Sequence, residues 1–314
     1  MSEFTTPTHY VAPVETESIA VDAVKVGEKP TNLWRDAWSD LRRRPLFWFS
    51  VALATLFVAM ALFPTLFTQT PPNLDCQLAN SNGEPTAGHP LGFTFQGCDI
   101  YARIVWGSQT SLSVGLLATF VSSVLGLIMG ALAGYYGGWI DSVLSRIGDI
   151  FFAVPYILAA VVVMTVFRDI RSIPVLAVAI GGFAWASTAR VVRAEILRVR
   201  QADFVMASES LGLSRFKTLL RHVIPNAIAP LLVVTTLSLA GSIVAEATLS
   251  FLGVGLGSDV MSWGLDISQA QNSLRVAPMA LIYPSIALTL AVLAFVTLGE
   301  LIRDAIDPKA RARR

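Results

Sequence analysis

The chain has 314 residues, 54% hydrophobic and only 14% charged, with a mean hydropathy of +0.61. A soluble domain of this size is not this apolar, so the composition excludes one and indicates an integral membrane protein. The net charge of +1 says little as a sum, because the basic residues gather in particular segments.

Residues 1–30, rich in Thr, Val, Glu, Pro and Lys, lack sustained apolar periodicity and read as a disordered cytoplasmic tail. The first apolar run begins near Phe47, and no small-residue cleavage pattern follows Phe67. It therefore reads as an anchor and not as a signal peptide. Residues 31–46 suit an amphipathic helix at the membrane interface, with Leu33, Trp34, Ala37, Trp38 and Leu41 on one face and Arg42-Arg43-Arg44 fixing its depth. A plain basic flank is the alternative.

A hydrocarbon core of about 30 Å needs about 20 helical residues. Six apolar segments meet this need: 47–67, 111–135, 150–167, 173–189, 227–250 and 280–302. Pro155 predicts a kink in the third, and Pro174 suits the first turn of the fourth. Basic residues concentrate in the N-terminal flank, the insert 190–225 and the tail 309–314, which predicts both ends inside. Residues 111–308 then form one all-α membrane core of spans two to six.

The outer loop 68–110 holds both cysteines. Pairing Cys76 with Cys98 would close a loop of about 20 residues and contribute about 3 kcal/mol in an oxidising compartment. Two free thiols, or a contact with a partner, are the alternatives. His89 has no second histidine or cysteine pair beside it, so it reads as a loop residue and not a metal ligand. Residues 251–279, with several glycines and Trp263, form either a cap folded back over the pathway or an ordinary outer loop.

Glu246 lies inside the fifth span, and a charge there is by default a pathway candidate. Pairing with a neighbouring donor is the structural alternative. Ser187, Thr188, Thr235, Thr236, Ser238 and Ser242 either line a pathway or bond within their own helices. No nucleotide-binding Gly-x-x-x-x-Gly-Lys-Ser/Thr and no His-Glu-x-x-His is present, so no enzyme chemistry is expected. Nor is a nucleic-acid partner.

The insert 190–225 carries Arg190, Arg193, Arg198, Arg200, Arg215, Lys217 and Arg221. Each would cost roughly 2.5 to 3.5 kcal/mol at the membrane centre, so the insert belongs in water on the cytoplasmic side. Residues 202–211 suit a short helix, Gly212 a left-handed stop, and Ser214 the cap of a second helix ending before Pro225. That makes a rigid knob, or an ordinary connector.

Met206-Ala207-Ser208, Gly212 and His222-Val223-Ile224-Pro225 resemble, landmark for landmark, the EAA loop of importer-type ABC permeases. Leu220 to Ala227, Ala245 to Gly253, and His89-Pro90-Leu91-Gly92 are similar to segments of the C-type permease subunit of dipeptide, oligopeptide and nickel importers. The resemblance implies the six-helix type I permease fold with coupling helices between spans four and five. It implies ATPase coupling through Asp203, Met206, Ala207, Ser208, Gly212 and Pro225. It also implies a bacterial plasma (inner) membrane location, a sister B-type permease, two ATPase subunits that bind ATP and Mg, and an extracytoplasmic substrate-binding protein. No cofactor is implied for this chain itself. Two positions depart from the family pattern: Met206 stands where a glutamate is usual, and Cys98 where an arginine is usual. The competing reading is a self-sufficient secondary transporter or channel, which would show intramembrane ionisable residues and an internal repeat.

Overall fold

A computed structural model describes residues 33–74 and 76–306; the expected tails 1–30 and 309–314 lie outside the described residues. Among these the chain is helical, with two isolated β-bridges, Thr86 with His89 and Phe93 with Asp99, in the outer loop. In chain order the helices are α1 (Leu33–Leu41), α2 (Pro45–Leu62), α3 (Ile100–Tyr136), α4 (Gly138–Ala153), α5 (Tyr156–Val166), α6 (Ile173–Arg200), α7 (Asp203–Ser210), α8 (Arg215–Thr218), α9 (Ile224–Phe251), α10 (Trp263–Ala270) and α11 (Met279–Ile306). Five are long and apolar enough to cross a membrane, or up to six if the bent α4–α5 pair is one span.

Helix α1 packs Ala37 and Leu41 against Leu301 and Ala305 at the end of α11, leaving Trp38 outside. It ends because Pro45 forces Arg44 into an extended conformation, and Pro45 itself opens α2. The basic flank is also paired: Arg44 contacts Asp40 at 2.5 Å and Asp304 at 3.5 Å.

Helix α3 is 37 residues long, about 55 Å at 1.5 Å per residue, well beyond a core of about 30 Å. Asp99 caps it by accepting from the Tyr101 amide at 2.8 Å. The expected loop 68–110 therefore ends earlier, and residues 100–110 are the opening turns of α3. Hydropathy missed them because polar residues such as Arg103 and Ser108 sit there, buried. Helix α6 packs along α3 at the closest range: a Cβ on Gly130 would lie 2.5 Å from the Ala189 carbonyl, and one on Gly181 2.3 Å from that of Ala118. Small residues thus set the spacing of the two central helices.

Three expectations need correction. Pro155 breaks the third span and does not merely kink it: Val154 is extended, and α4 and α5 meet at 80°. The fourth span does not stop at Ala189, since α6 runs on to Arg200 through residues assigned to the insert. No glycine or proline interrupts it, and its arginines find partners: Arg193 grips Asp141 of α4 at 2.5 and 2.6 Å. Finally, the second helix of the insert does not end before Pro225. A π turn, Leu219–Val223, joins α8 to α9, and Pro225 lies in the first turn of α9, where a missing N–H costs least.

Candidate functional site

The segment between α6 and α9 builds one compact unit. Val205 and Ser208 are the buried residues of α7, and Val205 joins Tyr135, Ile196, Leu219 and Val223 in a single apolar cluster. The Ser208 and Thr218 hydroxyls meet at 3.1 Å and tie α7 to α8. Gly212 sits at φ +83, where a side chain is strained. The turn closes with the Leu213 amide donating to the Ser208 carbonyl at 3.3 Å, the geometry of a glycine-terminated helix. Ser214 caps α8 by accepting from the Lys217 amide at 3.4 Å.

The exposed surface of this unit mixes large apolar side chains with charged ones, Asp203, Glu209, Arg215, Lys217 and Arg221 among them. Phe204, Met206, Phe216 and Leu220 are exposed, and Leu211 is 82% exposed. Asp203, Ala207 and Pro225 also face outward, whereas Ser208 points in. Exposed apolar side chains gathered beside basic residues are the kind of surface on which partner proteins dock. The unit is also tied to α3: the Tyr135 hydroxyl donates to Glu209 at 2.8 Å, and Arg200 donates to the Tyr135 carbonyl at 3.0 Å and that of Gly134 at 3.3 Å. The sequence marks Arg200 only as one of the cations of the insert, and it gives no sign that Tyr135 bonds to Glu209 or that Arg200 reaches α3. No local spacing links positions this far apart, although Glu209 lies one helical turn beyond Met206.

A cavity of about 400 Å³ opens at the break between α4 and α5, lined by Phe151, Tyr156, Phe183, Ser187, Ser238 and Ser242 among others. Three of the expected hydroxyls therefore reach it. The others do not: Thr188 is buried against Gly126, Thr235 meets the Ser123 hydroxyl at 3.0 Å, and Thr236 donates to the Leu232 carbonyl at 2.8 Å.

Glu246 is placed in the interior and lines neither this cavity nor the surface. Ser111 and Ser250 each donate to it at 2.8 Å, one to each carboxylate oxygen. The Ser111 oxygen also accepts from the Trp263 amide at 3.3 Å, and the fully buried Trp263 ring donates to the Ile104 carbonyl at 2.9 Å. So residues 251–279 do fold back, with α10 seated on α3 and α9. Nearby, Arg103 of α3 donates to one oxygen of Asp266 in α10 at 2.7 and 2.5 Å and to Asn73 at 2.8 Å. Burial pushes the Asp266 carboxyl up, and the Arg103 guanidinium opposes it. In the outer loop Cys76 and Cys98 are joined by a disulfide, and His89 meets Asp99 at 3.0 Å. Among the described residues no cluster of three or more His, Cys, Asp or Glu could hold a metal.

Residues 122–312 match the family described as binding-protein-dependent transport system inner membrane component, and residues 32–85 match the N-terminal TM domain of oligopeptide transport permease C. The chain belongs to this permease family. Its relatives include the dipeptide transport system permease protein DppC of Alkalihalophilus pseudofirmus, 33% identical over 89% of this chain and 91% of that one. The oligopeptide transport system permease protein OppC of Bacillus subtilis is 32% identical over 93% and 95%, respectively. The glutathione transport system permease protein GsiD of Pectobacterium atrosepticum is 33% identical over 89% and 92%. Among solved structures, a chain of the inward-facing MetNI methionine ABC transporter superposes with a TM-score of 0.55 at 20% identity, covering 65% of this chain and 96% of that one. That likeness is one of fold, and it agrees with the all-helical permease core. The chain is a multi-pass permease, the membrane component of an ABC importer.

Proposed function

We propose that the permease forms half of the translocation pathway of a peptide importer in a bacterial inner membrane, a sister B-type permease supplying the other half. The observation that carries this reading is the unit 201–223: internally stapled, set between two spans, and exposing large apolar side chains among charged ones. Such a knob fits a groove on an ATPase subunit. Two of these subunits bind ATP and Mg, hydrolyse it, and act on the pair of permeases; this chain binds no cofactor and performs no hydrolysis. The relatives' names point to dipeptides, oligopeptides and glutathione, so short peptides are the proposed cargo, delivered by an extracytoplasmic substrate-binding protein.

Asp203, Met206, Ala207 and Pro225 lie on the exposed side of the knob, while Ser208 and Gly212 hold its shape. Closure of the ATPase pair draws the two knobs together and tilts the attached helices, exposing the pathway to the outside; hydrolysis reverses the tilt. This requires only that the ATP-bound and free states prefer different permease conformations. Both ends of the chain face the cytoplasm in this arrangement.

Purification in mild detergent, with mass spectrometry of the partners and an ATPase assay, tests the reading. A sister permease with two ATPase subunits and ATP turnover is the expected result. A homo-oligomer that transports a solute alone would overturn it.

A further inference from the structure

The coupling unit is continuous in the chain with two spans only. Helix α6 leads into α7, and α8 leads through the π turn into α9. Helix α3, which packs against both of them and reaches α10 at its outer end, has no chain connection to the knob. Its inner end is nevertheless held there by hydrogen bonds between side chains and to the backbone. The Tyr135 hydroxyl, on a residue only 5% exposed, donates to Glu209 of α7 at 2.8 Å. Arg200, the last residue of α6, donates to two carbonyls in the final turn of α3. These carbonyls lack helical partners at a C-terminus, so a cation there is well placed. A neutral phenol donating to a carboxylate is a charge-assisted bond, stronger and more directional than a neutral one.

We infer that Tyr135 and Glu209 are positioning residues that transmit the movement of the knob into α3, so that one input moves three spans as a body. This inference rests on the docking role proposed above. Packing and Arg200 already tie α6 to α3; without the Tyr135–Glu209 link, α7 would be held to α3 only through α6 and could shift against its inner end. Glu209 is itself exposed and lies one turn along α7 from Met206, so it reaches Tyr135 from the edge of the exposed side and not from the buried side held by Val205 and Ser208.

The test uses the assembled complex in nanodiscs, with nitroxide labels at Ile128→Cys on α3 and Ser210→Cys on α7 and spin–spin distances read with and without ATP and magnesium. The unsubstituted pair should give one narrow distribution that ATP leaves unchanged. Tyr135→Phe and Glu209→Ala should each add a second, shifted population on ATP addition, while Glu209→Gln, which keeps an acceptor, should stay close to the unsubstituted form. Distributions unaffected by ATP in every variant would overturn the inference and leave docking intact. Loss of the ATPase subunits from Glu209→Ala but not from Tyr135→Phe would also overturn it, making Glu209 a docking residue. Absence of ATPase subunits from the unsubstituted complex would refute the docking role and the link with it.

Discussion

Ser111 shows how much one hydroxyl can hold. It donates to buried Glu246, accepts from the Trp263 amide, and so fastens α3, α9 and α10 at one point. Ser111→Ala leaves a carboxylate oxygen and an amide each short of a partner, a cost of about 1–3 kcal/mol for each buried group. The expected outcome is a lower melting temperature in detergent, and an unchanged one would mean that the junction bears no load. An ionisable residue within span five was visible in the sequence as an anomaly. What it bonds to was not, because Ser111 lies 135 positions away and a serine in an apolar run carries no sign of its partner. The same holds for Arg103, which reads as an ordinary outer-loop cation until Asp266 is seen beside it.

At the level of elements, the Gly212 turn was legible because its chemistry is local: a glycine at the end of a short helix, then a capping serine. Gly212→Pro demands φ near −65°, which is incompatible with +83. It should abolish recovery of the ATPase subunits and transport while leaving membrane insertion normal; intact transport would refute the rigid knob. Span boundaries were less legible, for a common reason. Hydropathy measures what lipid tolerates, whereas helices end where backbone chemistry ends them. Helix α6 keeps its geometry through Arg190 and Arg193 because Asp149 and Asp141 meet them at 2.9 and 2.5 Å. Helices α4 and α5 part at Val154 and Pro155, a backbone event in an unbroken apolar run. The π turn at Leu219–Val223 has no sequence mark beyond the proline that follows it.

For the molecule as a whole, the orientation proposed from where the charges lie can be measured directly. Glu84→Cys in the outer loop and Ser210→Cys in the knob put single thiols on exposed residues. In intact cells a membrane-impermeant maleimide should label the first and spare the second, with both labelled after permeabilisation. The reverse pattern would invert the topology and with it the ATPase contact. The disulfide adds a temporal consequence to this geometry. The cytosol keeps thiols reduced, so in the proposed orientation the bond between Cys76 and Cys98 forms only once the hairpin between α2 and α3 has been exported. Its closure therefore records a step in biogenesis, dividing newly made chains that have threaded their first loop from those that have not.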